Sequence, residues 1–292
     1  MQIRFHLEGG CNLKWGQKIN SNYEIRKGII GVPTYSIERF RQKRNSIALV
    51  IPVINESSRI VKQIEKINLL EIDIDIIIAD GGSTDGTLEY LRSMDKNLTA
   101  LLTKLSPGKL STQLRMAFNY CIDNEYECVI TMDGNDKDGV SGIFEVMSAL
   151  SNSFEFVQGS RFISGGHSQN TPILRYLGIR LIHAPISSFA SGRRFTDTTN
   201  GFRGFSTRFL NDPEVSIFRD IFDSYELVAY LPIAAGKLGY STVEVPVSRV
   251  YPEKGAIPTK IVGLRAQLDL LVILLKAAFG VYFPKNVNPR RS

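Results

Sequence analysis

Between residues 46 and 139 short apolar runs alternate with segments of helical period, and this alternation constrains the chain more than any other feature. Residues 47–53, 72–79, 98–102 and 128–132 are apolar runs of strand length bounded by turn residues, which reads as buried strands. Between them Ile60, Ile64, Ile67 and Leu70 recur at near-helical spacing, and residues 87–94 and 111–124 fit further helices. Strand and helix in this order predict an α/β fold with a mainly parallel sheet covered by helices on both faces. Ligands of such sheets sit outside the carboxyl ends of the strands, where the loops opened by Asp80 and Asp133 fall.

The second of these loops is the more chemically loaded. In residues 127–139, ECVITMDGNDKDG, a strand ends in Asp133, Asn135, Asp136 and Asp138. Crowded carboxylates repel each other and invite a hard cation, which oxygen ligands hold and which can grip a diphosphate. A polar turn after a strand is the plainer reading of the same residues. No G-x-G-x-x-G follows the first strand and no G-x-x-x-x-G-K-[ST] occurs, so the usual dinucleotide and P-loop sites are not supported.

Charge is distributed unevenly. Lys and Arg against Asp and Glu number 9 and 3 in residues 1–45, 18 and 24 in 46–248, and 8 and 2 in 249–292. Two basic ends flank an acidic body, which suits a metal site at the centre and phosphate or an anionic membrane surface at the ends. Nucleic acid is disfavoured, because no stacking platform or zinc-finger spacing accompanies the basic residues. Cys11, Cys121 and Cys128 are odd in number and lack metal-ligand spacing, which argues against a disulfide framework and for a reducing compartment. The N-terminus has no apolar core of a signal peptide. His6, His167 and His183 are scattered and read as structural, since no Ser or Cys nucleophile motif accompanies them.

Residues 1–45 read as an irregular or partly helical extension. Beyond residue 140 a helix to 150, a strand at 154–158 and a loop at 159–166 follow. Residues 174–190 look helical with a break near Pro185, 196–206 form a polar, glycine-bearing segment, 225–238 read as helix and 241–247 as strand. In the apolar tail 268–283, Asp269 and Lys276 leave six uninterrupted apolar residues between them. That falls short of the roughly 20 needed to cross a bilayer.

Four segments stand in order: SIALVIPVINE (46–56), IADGGSTDGT (78–87), the acidic loop after Met132, and TDTTNGFR (196–203). Together they resemble the family 2 glycosyltransferases of the GT-A fold, in particular the branch of dolichol-phosphate mannosyl- and glucosyltransferases, over about residues 46–261. The resemblance implies three parts: an extension at 1–45, a GT-A domain at 46–262 with a nucleotide half (46–139) and an acceptor half (140–262), and an amphipathic helix and basic tail at 263–292. That helix either lies on a membrane or packs on the domain.

The resemblance also implies roles. Pro52 and Glu56 would cradle the nucleotide, and Asp80 would accept a hydrogen bond from a base N–H, favouring uracil or guanine over cytosine. A turn and helix cap is the alternative for residues 81–85. Lys109 and Arg115 match a basic stretch that faces the diphosphate, with a solvated helix face as the alternative for Arg115. Asp133, Gly134 and Asn135 stand at the metal-binding D-x-D position, so Asp133 and Asn135 would hold Mg²⁺ or Mn²⁺ on the donor. Three residues depart from the pattern: Asn135 replaces the second aspartate, Lys137 a glutamine, and Ile54 a tyrosine. Arg161, Asp197 and Arg203 would lie near donor sugar and acceptor, or form a buried salt-bridge network, and Glu226 matches an acidic helix position. Arg249, Lys254 and Lys260, in a diverged R-x-x-G-x-S-K loop, would clamp phosphates.

The expected activity is metal-dependent transfer, with inversion, from a UDP- or GDP-sugar to a polyprenyl phosphate or lipid-linked saccharide at the cytoplasmic membrane face. A phosphate acceptor needs no strong base, whereas a hydroxyl acceptor would make Asp197 the base. The rival readings are a sugar-nucleotide pyrophosphorylase, disfavoured by the missing triphosphate loop, and a non-catalytic nucleotide-sugar sensor or membrane scaffold.

Overall fold

The computed structural model describes residues 22–253 and 263–285. Its strands are β1 (Tyr23–Arg26), β2 (Tyr35–Arg39), β3 (Ile47–Val53), β4 (Asp75–Asp80), β5 (Ala100–Lys104), β6 (Cys128–Thr131), β7 (Phe156–Ser160), β8 (His167–Gln169), β9 (Arg203–Ser206), β10 (Thr242–Pro246) and β11 (Ser248–Val250). Its helices are α1 (Ser58–Asn68), α2 (Thr87–Ser93), α3 (Leu110–Asp123), α4 (Gly142–Ser151), α5 (Ile173–Gly178), α6 (Ala184–Ser191), α7 (Thr207–Leu210), α8 (Glu226–Lys237) and α9 (Gly263–Ala278). A π-helical turn, Ile179–His183, joins α5 to α6.

Among the described residues nine strands form one sheet in the order β1-β2-β5-β4-β3-β6-β9-β7-β10, and β11 pairs with β8 beside it. The central strands β5, β4, β3 and β6 run parallel, as helices placed between successive strands require. β2 and β9 flank them antiparallel, and β7 pairs in parallel with β10. Apolar side chains fill both faces. Ile60, Ile64 and Ile67 of α1 pack with Ile76 and Ile78 on one side, and Phe118 of α3 with Phe205 and Tyr230 on the other. Each such buried side chain contributes about 1.5–3 kcal/mol.

Two stretches differ from their sequence reading. Residues 22–45 are neither irregular nor helical at β1 and β2, which form an antiparallel pair and extend the sheet from β5. β1 is half exposed and becomes a strand by pairing, while Tyr35 and Ile37 of β2 reach the core. The polar segment 196–206 ends in a strand because β9 is held between β6 and β7.

The helix expected at 174–190 is broken as anticipated, but by the π turn that precedes Pro185. α9 packs on α6 and α8, with Leu274 and Ala277 buried and Tyr282 beside Phe222 and Tyr230. No described helix is long and apolar enough to cross a membrane.

Candidate active site

A cavity of about 540 Å³ opens at the carboxyl ends of the central parallel strands. Pro52 near the end of β3 and Glu56 after it, Gly81 after β4, and Asp133, Gly134 and Asn135 after β6 line one end, with Lys109 at the start of α3. Lys137, Arg161, Arg175, Arg203, Arg249 and Tyr251 line its middle. Leu174 and Ile179, Val228 and Leu231 of α8, and Leu270, Ile273 and Leu274 of α9 make an apolar far wall. Charge and hydrocarbon therefore meet within one continuous space.

The loop after β6 is tightly fixed. Gln63 on α1 donates to the Asp133 carbonyl and accepts from the Asp136 N–H, both at 2.9 Å. A Cβ on Gly134 would lie 2.5 Å from Val53 Cγ1 and 3.1 Å from the Pro52 carbonyl, so only glycine lets the loop pass this close to β3. Asp136 turns away to Lys66 on α1 at 2.7 Å. Val250 N–H donates to the Lys137 carbonyl, tying the loop to β11.

Behind this loop the guanidinium of Arg249 bridges two carboxylates. Its Nη1 reaches both oxygens of Asp138 at 2.8 Å, and its Nη2 reaches Asp133 Oδ2 at 2.9 Å. Burial alone would raise the Asp133 carboxyl, but the charges of Arg249 and Lys137 outweigh it and hold the group below the usual carboxylate range. Burial, then the Arg249 charge, push Lys137 down to about 8. Four cations surround Tyr251. Lys137, Arg175 and Arg249 lie 5.3, 5.7 and 5.7 Å from its ring centroid, and Arg161 and Arg175 each donate to its hydroxyl at 3.3 Å. Burial raises the phenol, yet Arg249, Arg161 and Arg175 together draw it below its ordinary value.

Several expected site residues are engaged elsewhere. Asp80 is fully buried, lies off the cavity wall, and accepts from the N–H groups of Gly82 and Ser83 and the Ser83 hydroxyl. Asp85 lies just before α2 and accepts from the Thr87 N–H and the Ser57 hydroxyl. Asp197 is also fully buried and off the wall, with both oxygens on Arg161 at 2.6 and 2.8 Å. Arg203 spends its guanidinium on three carbonyls, of Thr198, Asn200 and Val228, and burial pushes it down to about 10. Arg115 faces neither diphosphate nor solvent; it is buried against the Gly31 carbonyl and Asp220. Glu226 accepts from the Ser224 N–H just before α8. Lys254 and Lys260 lie outside the described residues.

Sequence reasoning missed Gln63, Gln113, Arg175 and Tyr251. The two glutamines carried a signal, since each is a polar residue on a buried helix face. Gln113 donates to the Val53 and Ala79 carbonyls, both at 2.7 Å, and so joins the ends of β3 and β4. Arg175 and Tyr251 carried none, because only tertiary folding brings α5 and the residue after β11 to the cavity.

The residues at the cavity suit a hard divalent cation. Asn135 Oδ1 is buried and accepts no hydrogen bond, and the Asp133 side chain is 30% exposed at the cavity. A Cβ on Gly201 would lie 2.5 Å from Asp133 Oδ1, so only glycine lets the backbone there pass this close to the carboxylate. Among the described residues no three His, Cys, Asp or Glu side chains gather as a ligand set. Two protein oxygens completed by substrate phosphate and water form a familiar arrangement for Mg²⁺.

The family model described as glycosyl transferase family 2 matches residues 48–222. Polyprenol monophosphomannose synthase of Mycolicibacterium smegmatis is 23% identical over 210 residues, covering 71% of this chain and 78% of the relative. Undecaprenyl-phosphate 4-deoxy-4-formamido-L-arabinose transferase of Proteus mirabilis is 22% identical over 245 residues, covering 81% and 70%. Glucosyl-3-phosphoglycerate synthase of Mycobacterium tuberculosis, solved with Mn²⁺, UDP and phosphoglyceric acid, superposes with a TM-score of 0.57 at 15% identity over 83% of this chain and 80% of that one. This likeness identifies the fold as GT-A.

Proposed function

The chain belongs to glycosyltransferase family 2, and from that premise we propose that it moves a sugar from a UDP- or GDP-linked donor to a polyprenyl phosphate, inverting the anomeric carbon. The observation that carries this reading is the single cavity, charged at the strand ends and apolar between α5, α8 and α9. A nucleoside diphosphate matches the first part and an isoprenoid chain the second. The names of the two polyprenyl-phosphate relatives support the same acceptor.

In this reading Pro52, Glu56, Gly81, Lys109 and Gly134 border the nucleotide, and Asp80 acts from behind through the turn it holds. Asp133 and Asn135 would hold Mg²⁺ or Mn²⁺, which when bound stabilises the charge growing on the departing diphosphate. Arg161, Arg175 and Arg249, gathered at Tyr251, orient the acceptor phosphate, with Lys254 and Lys260 as further phosphate contacts. A phosphate oxygen attacks the anomeric carbon, the bond from that carbon to the diphosphate breaks, and the nucleoside diphosphate leaves. The nucleophile is already anionic, so no base is needed, and a role for Asp197 in orienting Arg161 is consistent with this chemistry.

Purified protein, sugar nucleotides, polyprenyl phosphate and Mn²⁺ should yield UDP or GDP only when the lipid phosphate is present. Pyrophosphate release from a nucleoside triphosphate would replace this reading with a pyrophosphorylase. Donor binding without turnover on any acceptor would leave a sensor.

A further inference from the structure

We propose that Glu244, on β10, is a positioning residue that acts through the backbone of Thr196 and Asp197 to set the Arg161 guanidinium for the acceptor phosphate. The inference rests on the phosphate-acceptor reading above and names the side chain that keeps one of its cations in place. Glu244 does not line the cavity, whereas Arg161 and residues 198–201 do. Along β10 the side chains of Val243 and Val245 pack into the core on one face. Glu244 therefore stands on the other face, beside its register partner Gln158 on β7.

Both oxygens of Glu244 are spent on one stretch of chain. Oε1 accepts from the N–H groups of Thr196 and Asp197 at 2.8 and 3.1 Å, and Oε2 accepts from the Thr196 hydroxyl at 2.8 Å. Residues 194–202 form no helix or strand, so their backbone N–H groups depend on partners of this kind. Asp197 is the next link: both its oxygens meet the Arg161 guanidinium, and one also accepts from the Arg161 N–H at 3.3 Å. Arg161 in turn donates to the Tyr251 hydroxyl and to Thr199 Oγ1, each at 3.3 Å. Without Glu244 two N–H groups lose their acceptor, and the carboxylate that orients Arg161 loses its mooring. A shift of about 1 Å in a substrate-orienting group can cost about a hundredfold in rate. Burial lifts the Glu244 carboxyl above its ordinary value, although the hydrogen bonds from Thr196 and Asp197 pull it down. Glutamine is then a close substitute, because its oxygen can take both N–H groups while its own N–H meets the Thr196 hydroxyl oxygen.

Kinetics of the full chain with a sugar nucleotide, Mn²⁺ and a short, water-soluble prenyl phosphate test the inference, together with calorimetry of UDP and GDP and melting curves of each variant. Glu244→Ala should lower kcat/KM for the acceptor about ten- to hundredfold and leave nucleoside diphosphate affinity within about twofold of the parent. Glu244→Gln should restore most of the loss. In an Arg161→Lys background the Glu244→Ala loss should shrink, because both changes act on one contact. A loss of full size there would place the effect outside Arg161 and overturn the inference. A folded Glu244→Ala with the parent's acceptor kinetics also overturns it, as does an equal loss of acceptor kcat/KM and donor affinity, which would make Glu244 a support of the whole site. Should Glu244→Ala fail to fold, Glu244→Asp decides. Its carboxylate is one methylene short, so acceptor kcat/KM should fall while UDP or GDP binding holds, and parent-like acceptor kinetics overturn the inference. A parent that binds UDP or GDP yet transfers to no prenyl phosphate overturns the acceptor reading itself, and this inference with it.

Discussion

Asp133 stands between two neighbours with one carboxylate: Arg249 holds Oδ2, while Oδ1 lies against the Gly201 backbone. Asp133→Ala should lower turnover about 10²–10³-fold, the scale of losing one electrostatic contact to a developing charge. The fold should persist, because Arg249 keeps both oxygens of Asp138. Near-normal release of nucleoside diphosphate by a folded Asp133→Ala protein would remove this residue from the chemistry. Asp197 makes the opposite case. It is fully buried against Arg161, whose side chain is 2% exposed, so Asp197→Ala leaves a buried guanidinium short of its partner and should cost about 3–5 kcal/mol in urea unfolding. An unchanged urea midpoint together with lost activity would return Asp197 to the reacting centre. The acidic loop was legible because its residues are adjacent in sequence. The Arg161–Asp197 pairing was weighed only as an alternative, since 36 residues separate the partners and no local pattern shows which oxygen meets which guanidinium.

The same contrast holds for elements. β3, β4 and β6 announce themselves because burial on both faces demands continuous apolar runs. β9 does not, since its four residues, Arg-Gly-Phe-Ser, take their strand conformation from β6 and β7 on either side. β1 is likewise made by its partner β2. The π turn between α5 and α6 leaves no mark in apolar period, yet it sets His183 into the cavity wall. Burial lowers the His183 pKa below its ordinary 6.5, so the folded state binds its proton less readily than the unfolded chain. Above 6.5 both states are neutral; as pH falls below it the unfolded chain charges first, and stability is lost on the way down to the folded value. Between about pH 7.5 and 5.5 the parent should therefore lose more thermal stability than His183→Gln, which has no proton to bind. Parallel losses in the two proteins would show that His183 is solvated.

At the scale of the whole molecule, the helical segments around the cavity also carry exposed apolar side chains. α6 and α9 pack together, and Leu181, Phe189 and Phe279 on or next to these helical segments are 68%, 93% and 83% exposed. Arg175 and Arg180 lie on the α5–α6 segment, Arg193 and Arg194 just beyond it, and Arg265 and Lys276 on α9, while residues 249–292 carry 8 basic against 2 acidic side chains. Apolar side chains among cations match an anionic lipid surface, where each nearby Lys or Arg adds about 1 kcal/mol. Such docking would let a polyprenyl phosphate pass from the bilayer into the cavity. Deleting α9 is a poor test, because Leu274 and Ala277 belong to the core and the variant would lose stability as well as any lipid contact. A triple variant, Leu181→Ser, Phe189→Ser and Phe279→Ser, avoids this difficulty, since these exposed side chains do not line the cavity. It should keep the parent's melting temperature and its activity on a short, water-soluble prenyl phosphate. Cosedimentation with anionic vesicles and turnover of a long-chain acceptor embedded in them should both fall, and high salt should weaken the parent in the same direction by screening its basic residues. Vesicle binding by the triple variant equal to that of the parent would leave this surface without a membrane role and assign α9 to packing alone.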